Sequence, residues 1–157
     1  MKIALASDHG GFELKNEIKK YLEERMNSGD PIDGTGEKIE EIIDLGTDSE
    51  ESVDYPEYGK KCAEAVTGGA ADRGIVVCGT GIGISMAANK VRGARCALCT
   101  SVHMAEMTRR HNDANMLALG GRTTETALAL EIVDVWLKTP FEGGRHQRRV
   151  DMLDRMG

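Results

Sequence analysis

Cys78 is the residue of this chain best placed to do chemistry. It ends the run Ile75-Val76-Val77 and opens Gly79-Thr80-Gly81-Ile82-Gly83-Ile84-Ser85. Consecutive β-branched residues predict a strand buried on both faces, and the small residues from Ser85 to Asn89 predict a helix. A strand, a glycine turn and a helix start gather backbone N–H groups around an anion. Helix N-termini also favour thiolate, which makes Cys78 a candidate base. Three familiar phosphate loops fail here. No lysine follows the glycines, as a Walker loop requires. Ile84 stands both where a dinucleotide fingerprint needs its third glycine and where a Cys-x5-Arg loop needs its arginine. A tight turn around a buried cysteine would use the same residues, so the loop needs partners before it means catalysis.

Four further groups offer partners. Asp8-His9-Gly10-Gly11 follows a predicted first strand, Lys2–Ser7, at the carboxyl end where open α/β sheets gather ligands. An N-capping aspartate beside a solvent-facing histidine is the plainer alternative. His111-Asn112-Asp113 follows a predicted helix from about Ser101 to Arg110 and combines proton handling with hydrogen bonding. A histidine after a helix also serves as a simple cap. Arg122 follows Gly120-Gly121 at the end of a strand over Met116–Leu119, on the same edge as Cys78 and Asp8. Arg145 and Arg149 stand i, i+4 at the start of a last helix and can converge on one anion with forked donors. In isolation they read equally as a solvated basic turn.

The elements that must hold these residues alternate. Strands are predicted at Lys2–Ser7, Glu41–Gly46, Arg73–Cys78, Cys96–Thr100 and Met116–Leu119. Between them lie helices from about Phe12 to Met26, a segment after Asp54-Tyr55-Pro56, and Ser101 to Arg110. That alternation predicts a three-layer α/β/α sandwich around a five-stranded parallel, Rossmann-like sheet, with the strand order left open. Asn27 to Lys38 reads as a long polar loop with no assigned chemistry. Thr124 to Lys138 is apolar on most of its circumference, which predicts either a subunit interface or deep packing within one chain. Tyr55 is equally readable as a ligand contact or as packing.

Composition bounds the function classes. At 157 residues the chain predicts one domain with a real core. A net charge of −6 argues against a nucleic-acid or membrane-surface binder. No apolar run approaches a membrane span, and Met1-Lys2-Ile3-Ala4 lacks a signal-peptide core. Four cysteines at this density suit a reduced cytoplasm. Cys96 and Cys99 mimic a metal pair, but an i, i+3 pair on a strand points to opposite faces, so no metal site is expected.

Taken together, the Asp8-His9-Gly10-Gly11, Cys78–Ser85, Arg110–Asp113 and Gly143-Gly144-Arg145-His146-x-x-Arg149 motifs closely resemble the ribose-5-phosphate isomerase B family, which includes allose- and galactose-6-phosphate isomerases. The resemblance covers nearly the whole chain except the 27–38 segment. It implies a cofactor-free aldose–ketose isomerisation through a cis-enediolate. By that resemblance Cys78 is the base, His111 opens the sugar ring, and Thr80 is a hydrogen-bonding partner of His111. The N–H groups of Gly79, Gly81, Ile82 and Gly83, with Asn112, hold the oxyanion. Asp8 contacts a substrate hydroxyl, His9 lies nearby, and Arg122, Arg145 and Arg149 bind phosphate. The resemblance also implies a homodimer or dimer of dimers with sites shared between subunits, and the last helix (about 145–156) is expected at that interface. Ribose 5-phosphate is the leading substrate. A hexose 6-phosphate is the alternative with the same mechanism, and a non-catalytic sugar-phosphate-binding module is the alternative of a different class.

Overall fold

The computed structural model describes residues 1–157. Five strands, β1 (Lys2–Ser7), β2 (Glu41–Asp44), β3 (Arg73–Cys78), β4 (Cys96–Leu98) and β5 (Met116–Gly120), form one sheet. Its order is β2-β1-β3-β5-β4, with every pairing parallel. Six helices connect and cover it: α1 (Phe12–Ser28), α2 (Tyr55–Thr67), α3 (Ile82–Asn89), α4 (Val102–Asn112), α5 (Thr126–Lys138) and α6 (Arg145–Asp154). This is the sandwich that the alternation predicts. No helix is long and apolar enough to cross a membrane.

Strand periodicity sorts the core into two faces. Ile3, Leu5, Ile75, Val77, Leu117 and Leu119 pack against α1, α4 and α5. Ala4, Ala6, Val76, Cys78, Met116 and Ala118 face α2 and α3. The second face is built mostly of small residues, which lets α2 and α3 approach the sheet closely. Cys78 belongs to it. Cys96 and Cys99 fall on opposite faces, as strand alternation requires.

Several boundaries depart from the sequence expectations for local reasons. α4 runs through His111 and Asn112, so both are helical. It ends at Asp113, whose φ of 47° is the left-handed cap, with its carboxylate paired 2.8 Å from Arg109. The predicted polar loop is shorter than expected, because α1 extends to Ser28. It also plants Ile32 in the core, with Ile39 just beyond its end. α5 buries Ala129, Ile132, Val133, Trp136 and Leu137 within the chain, so deep packing accounts for most of its apolar surface.

β1 and β3 are neighbours whose following connections lead to opposite sides of the sheet, first to β2 and then to β4 and β5. The divergence opens a crevice at their carboxyl ends, the place where such sheets bind ligands. Asp8 and Cys78 flank it.

Candidate active site

Cys78 closes β3, and its Sγ accepts a hydrogen bond from the Gly81 N–H at 3.2 Å. Gly81 achieves this as the left-handed cap of α3, with φ of 80°. A β-carbon there would stand 2.6 Å from Leu98 Cδ1 and 2.8 Å from the Leu119 carbonyl carbon, so only glycine fits. The donor stabilises negative charge on sulfur, and the α3 dipole adds to it. The Ile82 N–H reaches back to Thr80 Oγ1 at 3.3 Å, leaving the threonine O–H to donate outward. Two of the N–H groups read from sequence as oxyanion donors, Gly81 and Ile82, are therefore already engaged. The first-turn N–H of Gly83 has no intrahelical partner. The Tyr55 ring covers Gly83 so closely that a β-carbon would lie 2.6 Å from it.

Asp8, Arg122 and His9 complete this edge. Asp8 Oδ1 accepts from the Gly11 N–H at 3.1 Å, which fixes the carboxylate at the start of the short 3-10 turn His9–Gly11. The Asp8 N–H and the Val77 carbonyl join β1 to β3 at 3.2 Å. Arg122 donates its backbone N–H to the Gly79 carbonyl at 2.9 Å, and Gly121 donates to the Cys78 carbonyl at 2.8 Å. The Arg122 guanidinium consequently lies over the loop: β-carbons at Gly10 and Gly79 would stand 3.4 Å from its Cζ and Nη1. His9 Nδ1 accepts from the Val53 N–H at 3.1 Å. The neutral ring then carries its hydrogen on Nε2, the atom left for a ligand.

The remaining predicted residues stand elsewhere in the chain. α4 leaves the carboxyl edge at Ser101 and runs back over 11 residues, about 16 Å of helix at about 1.5 Å per residue. His111 and Asn112 thus lie at the amino edge, where Asn115 accepts from the Gly74 N–H at the start of β3. α6 joins them there. His146 stacks on His111 with ring centroids 4.3 Å apart, and Arg145 and Arg149 are exposed on the same helix. One chain therefore brings Cys78, Thr80, Asp8, His9 and Arg122 together. It gathers His111, Asn112, Arg145 and Arg149 separately, and Thr80 does not meet His111.

Sequence reasoning missed two groups. Glu142 Oε1 lies 3.9 Å from His111 Nε2 and 3.7 Å from His146 Nε2. The only prior signal was the i, i+4 spacing of Glu142 and His146. These three side chains are also the group able to hold a metal ion, with ligand atoms within 4.8 Å of one another. Lys15 is the second miss. It is buried on α1 and donates to Asp44 Oδ1 at 2.8 Å and to the Thr47 carbonyl at 2.7 Å. This ties down the turn after β2, which is hydrogen-bonded to Ser7 next to Asp8.

The other cysteines are inert by environment. Burial pushes the Cys62 thiol up to about 12 and Cys99 to about 11, and raises Cys96 as well. A cavity of about 670 Å³ runs between the β4 edge and the C-terminal residues, lined in part by Arg92, Arg95, Asn112, Leu153 and Met156. Neither it nor a second of about 610 Å³ on the amino edge includes Cys78, Thr80 or Arg122.

With this geometry in hand, similarity to known proteins is informative. The model of the Ribose/Galactose Isomerase family matches residues 3–153. The chain is 48% identical to ribose-5-phosphate isomerase B of Escherichia coli, over 97% of this chain and 93% of that one. The solved ribose-5-phosphate isomerase B of Clostridium thermocellum superposes with a TM-score of 0.88 at 55% identity, over 98% of this chain and 95% of that one. The Mycoplasma genitalium enzyme, solved with bound ribulose-5-phosphate, gives 0.86 at 38% identity, over 98% and 94%.

Proposed function

The chain belongs to the ribose/galactose isomerase family, and on that footing we propose that it interconverts ribose 5-phosphate and ribulose 5-phosphate through a cis-enediolate. The observation that carries the reading is the Cys78 sulfur at the end of β3, held by the Gly81 N–H at 3.2 Å at the start of α3. A thiolate there takes the proton from C2 of the open-chain aldose. The electrons move into the C1 carbonyl, and the negative charge develops on the enediolate oxygens. The thiol then returns a proton to C1, while the O2 proton passes to O1 to leave the ketose. The reaction is a set of proton transfers with no net redox change, so this chain's acids and bases suffice.

The loop supplies electrostatics for that charge. The N–H groups of Gly79 and Gly83 and the Thr80 hydroxyl are donors beside Cys78, with the α3 dipole behind them. Asp8 is placed to receive a substrate hydroxyl, and His9 presents Nε2–H. Arg122, over Gly79 and Gly10, suits the anionic end of the substrate.

The remaining roles fall to a second copy of the chain. His111 opens the hemiacetal ring, Asn112 adds a donor to the enediolate, and Arg145 and Arg149 take the phosphate. Their separation from Cys78 within one chain supports a shared site. Apolar side chains left in solvent supply contact surface. Ile82 and Met86 stand i, i+4 on α3 beside the loop, and Met152, Leu153 and Met156 lie at the C-terminus. The assembly is a homodimer, or a dimer of dimers, with each site built from both subunits.

Solvent-deuterium incorporation into ribulose 5-phosphate tests the reading. Wild type should exchange the transferred hydrogen, and Cys78→Ala should lose exchange while still binding the sugar phosphate. Undiminished turnover in Cys78→Ala would remove the thiol from the mechanism. A kcat/KM strongly favouring allose or galactose 6-phosphate would overturn the pentose assignment.

A further inference from the structure

Two arginines at the amino edge of the sheet are held inside the chain with nitrogens to spare. Arg73 opens β3 and lays its guanidinium over the Trp136 ring, with Cζ 5.2 Å from the ring centroid. Its Nη1 donates to the Trp136 carbonyl at 2.8 Å and to the Leu137 carbonyl at 3.2 Å, which serves acceptors in the last turn of α5. Arg109 of α4 has a side chain only 7% exposed. It donates Nε to the Thr139 carbonyl at 3.2 Å, and Nη1 to Asp113 Oδ1 and the Ala114 carbonyl, both at 2.8 Å. These bonds leave Arg73 Nε and Nη2, and Arg109 Nη2, with no hydrogen-bond partner in the chain. None of the three atoms is shut away from solvent. Both residues line the amino-edge cavity of about 610 Å³, a size that suits a small metabolite.

The charges around that cavity are unevenly matched. Asp113 is shared by Arg109 and Arg95, Arg95 also holds Asp154 at 2.7 Å, and the Met1 ammonium stands 3.4 Å from Glu40. Arg73 makes no ion pair. Burial first, then the charge of Arg109, bring the Arg73 pKa down to about 10, so both guanidiniums are cationic at neutral pH. A desolvated cation without a counter-ion, beside a second cation, is costly. An oxyanion relieves both at once, because a guanidinium presents its N–H groups as a planar fork that matches carboxylate or phosphate. Two exposed carboxylates, Glu37 and Asp72, stand on the same cavity. They disfavour a bare anion but accept hydrogen bonds from hydroxyl or ammonium groups carried beside one.

We propose that Arg73 and Arg109 form a second binding site, separate from the Cys78 crevice, for a small metabolite that joins an oxyanion to hydroxyl or ammonium donors. The oxyanion takes the free nitrogens of the two guanidiniums, and the donors meet Glu37 and Asp72. Arg95 lines the cavity but does not serve the ligand. Its Nε and Nη2 donate to the Asn112 and Asp113 carbonyls, and its Nη1 to Asp154. The rival use of Arg73 and Arg109 is as caps for the end of α5 alone, and it provides for no ligand. Nothing in the isomerisation derived above draws on these groups, so the site stands or falls independently of that reading.

Trp136 is the only tryptophan of the chain and lies under Arg73, so its emission reports on the site directly. Inorganic phosphate, glycerol 3-phosphate and free serine are titrated at fixed ionic strength, with sodium chloride as the control. The Arg145→Ala/Arg149→Ala protein serves as host, which removes the arginines assigned to substrate phosphate. A saturable change in Trp136 emission is expected with glycerol 3-phosphate or with serine. The first outcome assigns a phosphate monoester and the second an amino acid, and either supports the site. Calorimetry on the same host should show Arg73→Lys, which keeps the charge and loses the fork, weakening binding by about 10-fold or more. Glu37→Gln removes an exposed negative charge and should tighten inorganic phosphate by about two- to five-fold. It covers the case in which Arg73→Lys does not fold. No saturable change with any of the three probes would overturn the site, as would a change that sodium chloride reproduces. Phosphate affinity unaltered in both Arg73→Lys and Glu37→Gln would place the anion elsewhere and overturn it equally.

Discussion

Cys78 and His111 of one chain stand at opposite edges of the same sheet, Cys78 at the carboxyl end of β3 and His111 at the far end of α4. A base and a ring-opening acid that serve one substrate cannot work across the thickness of a domain. The separation follows from the βα pattern itself, because a helix leaving a carboxyl edge must return to the amino edge before the next parallel strand. On the proposed roles, groups at both ends of the α/β units would complete a site only where two copies pack edge to edge.

Gly81 couples backbone conformation to the Cys78 sulfur. With φ of 80° and no room for a β-carbon, Gly81→Ala should destabilise the fold by about 1–2 kcal/mol from left-handed strain alone. Displacing the N–H that faces Cys78 Sγ should lower kcat by about 10²-fold, the scale of losing one charge-stabilising donor. Urea unfolding and steady-state kinetics on the same protein measure both. A stability loss with unchanged kcat would detach the Gly81 donor from catalysis.

Asp44 gives a stability prediction with a definite sign in pH. Burial alone would raise its pKa, but hydrogen bonds from Lys15, the Gly46 N–H and Lys19 prevail and lower it. A depressed carboxyl pKa contributes stability above the unfolded value, about 3.9, and loses it as pH falls through the folded value. Asp44→Asn keeps an acceptor oxygen but removes the negative charge beside the buried Lys15, and should cost about 3 kcal/mol near neutral pH. The gap between Asp44→Asn and wild type should close in acid, where wild-type Asp44 is itself protonated. Denaturation series at several pH values would show a constant gap if the pair contributed nothing.

Much of this architecture was legible because β1, β3 and β5 are buried on both faces and leave near-continuous apolar runs in the chain. The end of α4 was not. Arg109-Arg110-His111 reads as a helix terminus from charge alone, whereas Asp113, paired with Arg109, sets the true cap one turn later. Cys78, Asp8 and Arg122 were legible as one edge because each stands at or just beyond the carboxyl end of a strand. Glu142 was invisible because its relation to His111 is created by the packing of α6 on α4. Placing β5 between β3 and β4 is likewise a tertiary choice that no local pattern records.

The exposed arginines of α6 should act on binding more than on chemistry. On the proposed phosphate role, Arg145→Ala and Arg149→Ala should each remove a charge-assisted contact, a loss of roughly 1.5–3 kcal/mol that raises KM by about 10- to 100-fold. Initial-rate kinetics separate the two parameters. A fall in kcat at constant KM would contradict the phosphate assignment.

The account stands most directly on the shared site, and complementation measures it. Cys78→Ala and His111→Gln proteins, each inactive alone, are co-expressed so that their subunits pair at random. Half of the dimers are then mixed, and each mixed dimer holds one site with an intact Cys78 and an intact His111. The account predicts recovery of about a quarter of wild-type isomerase activity. A mixture as inactive as its two parents would contradict it.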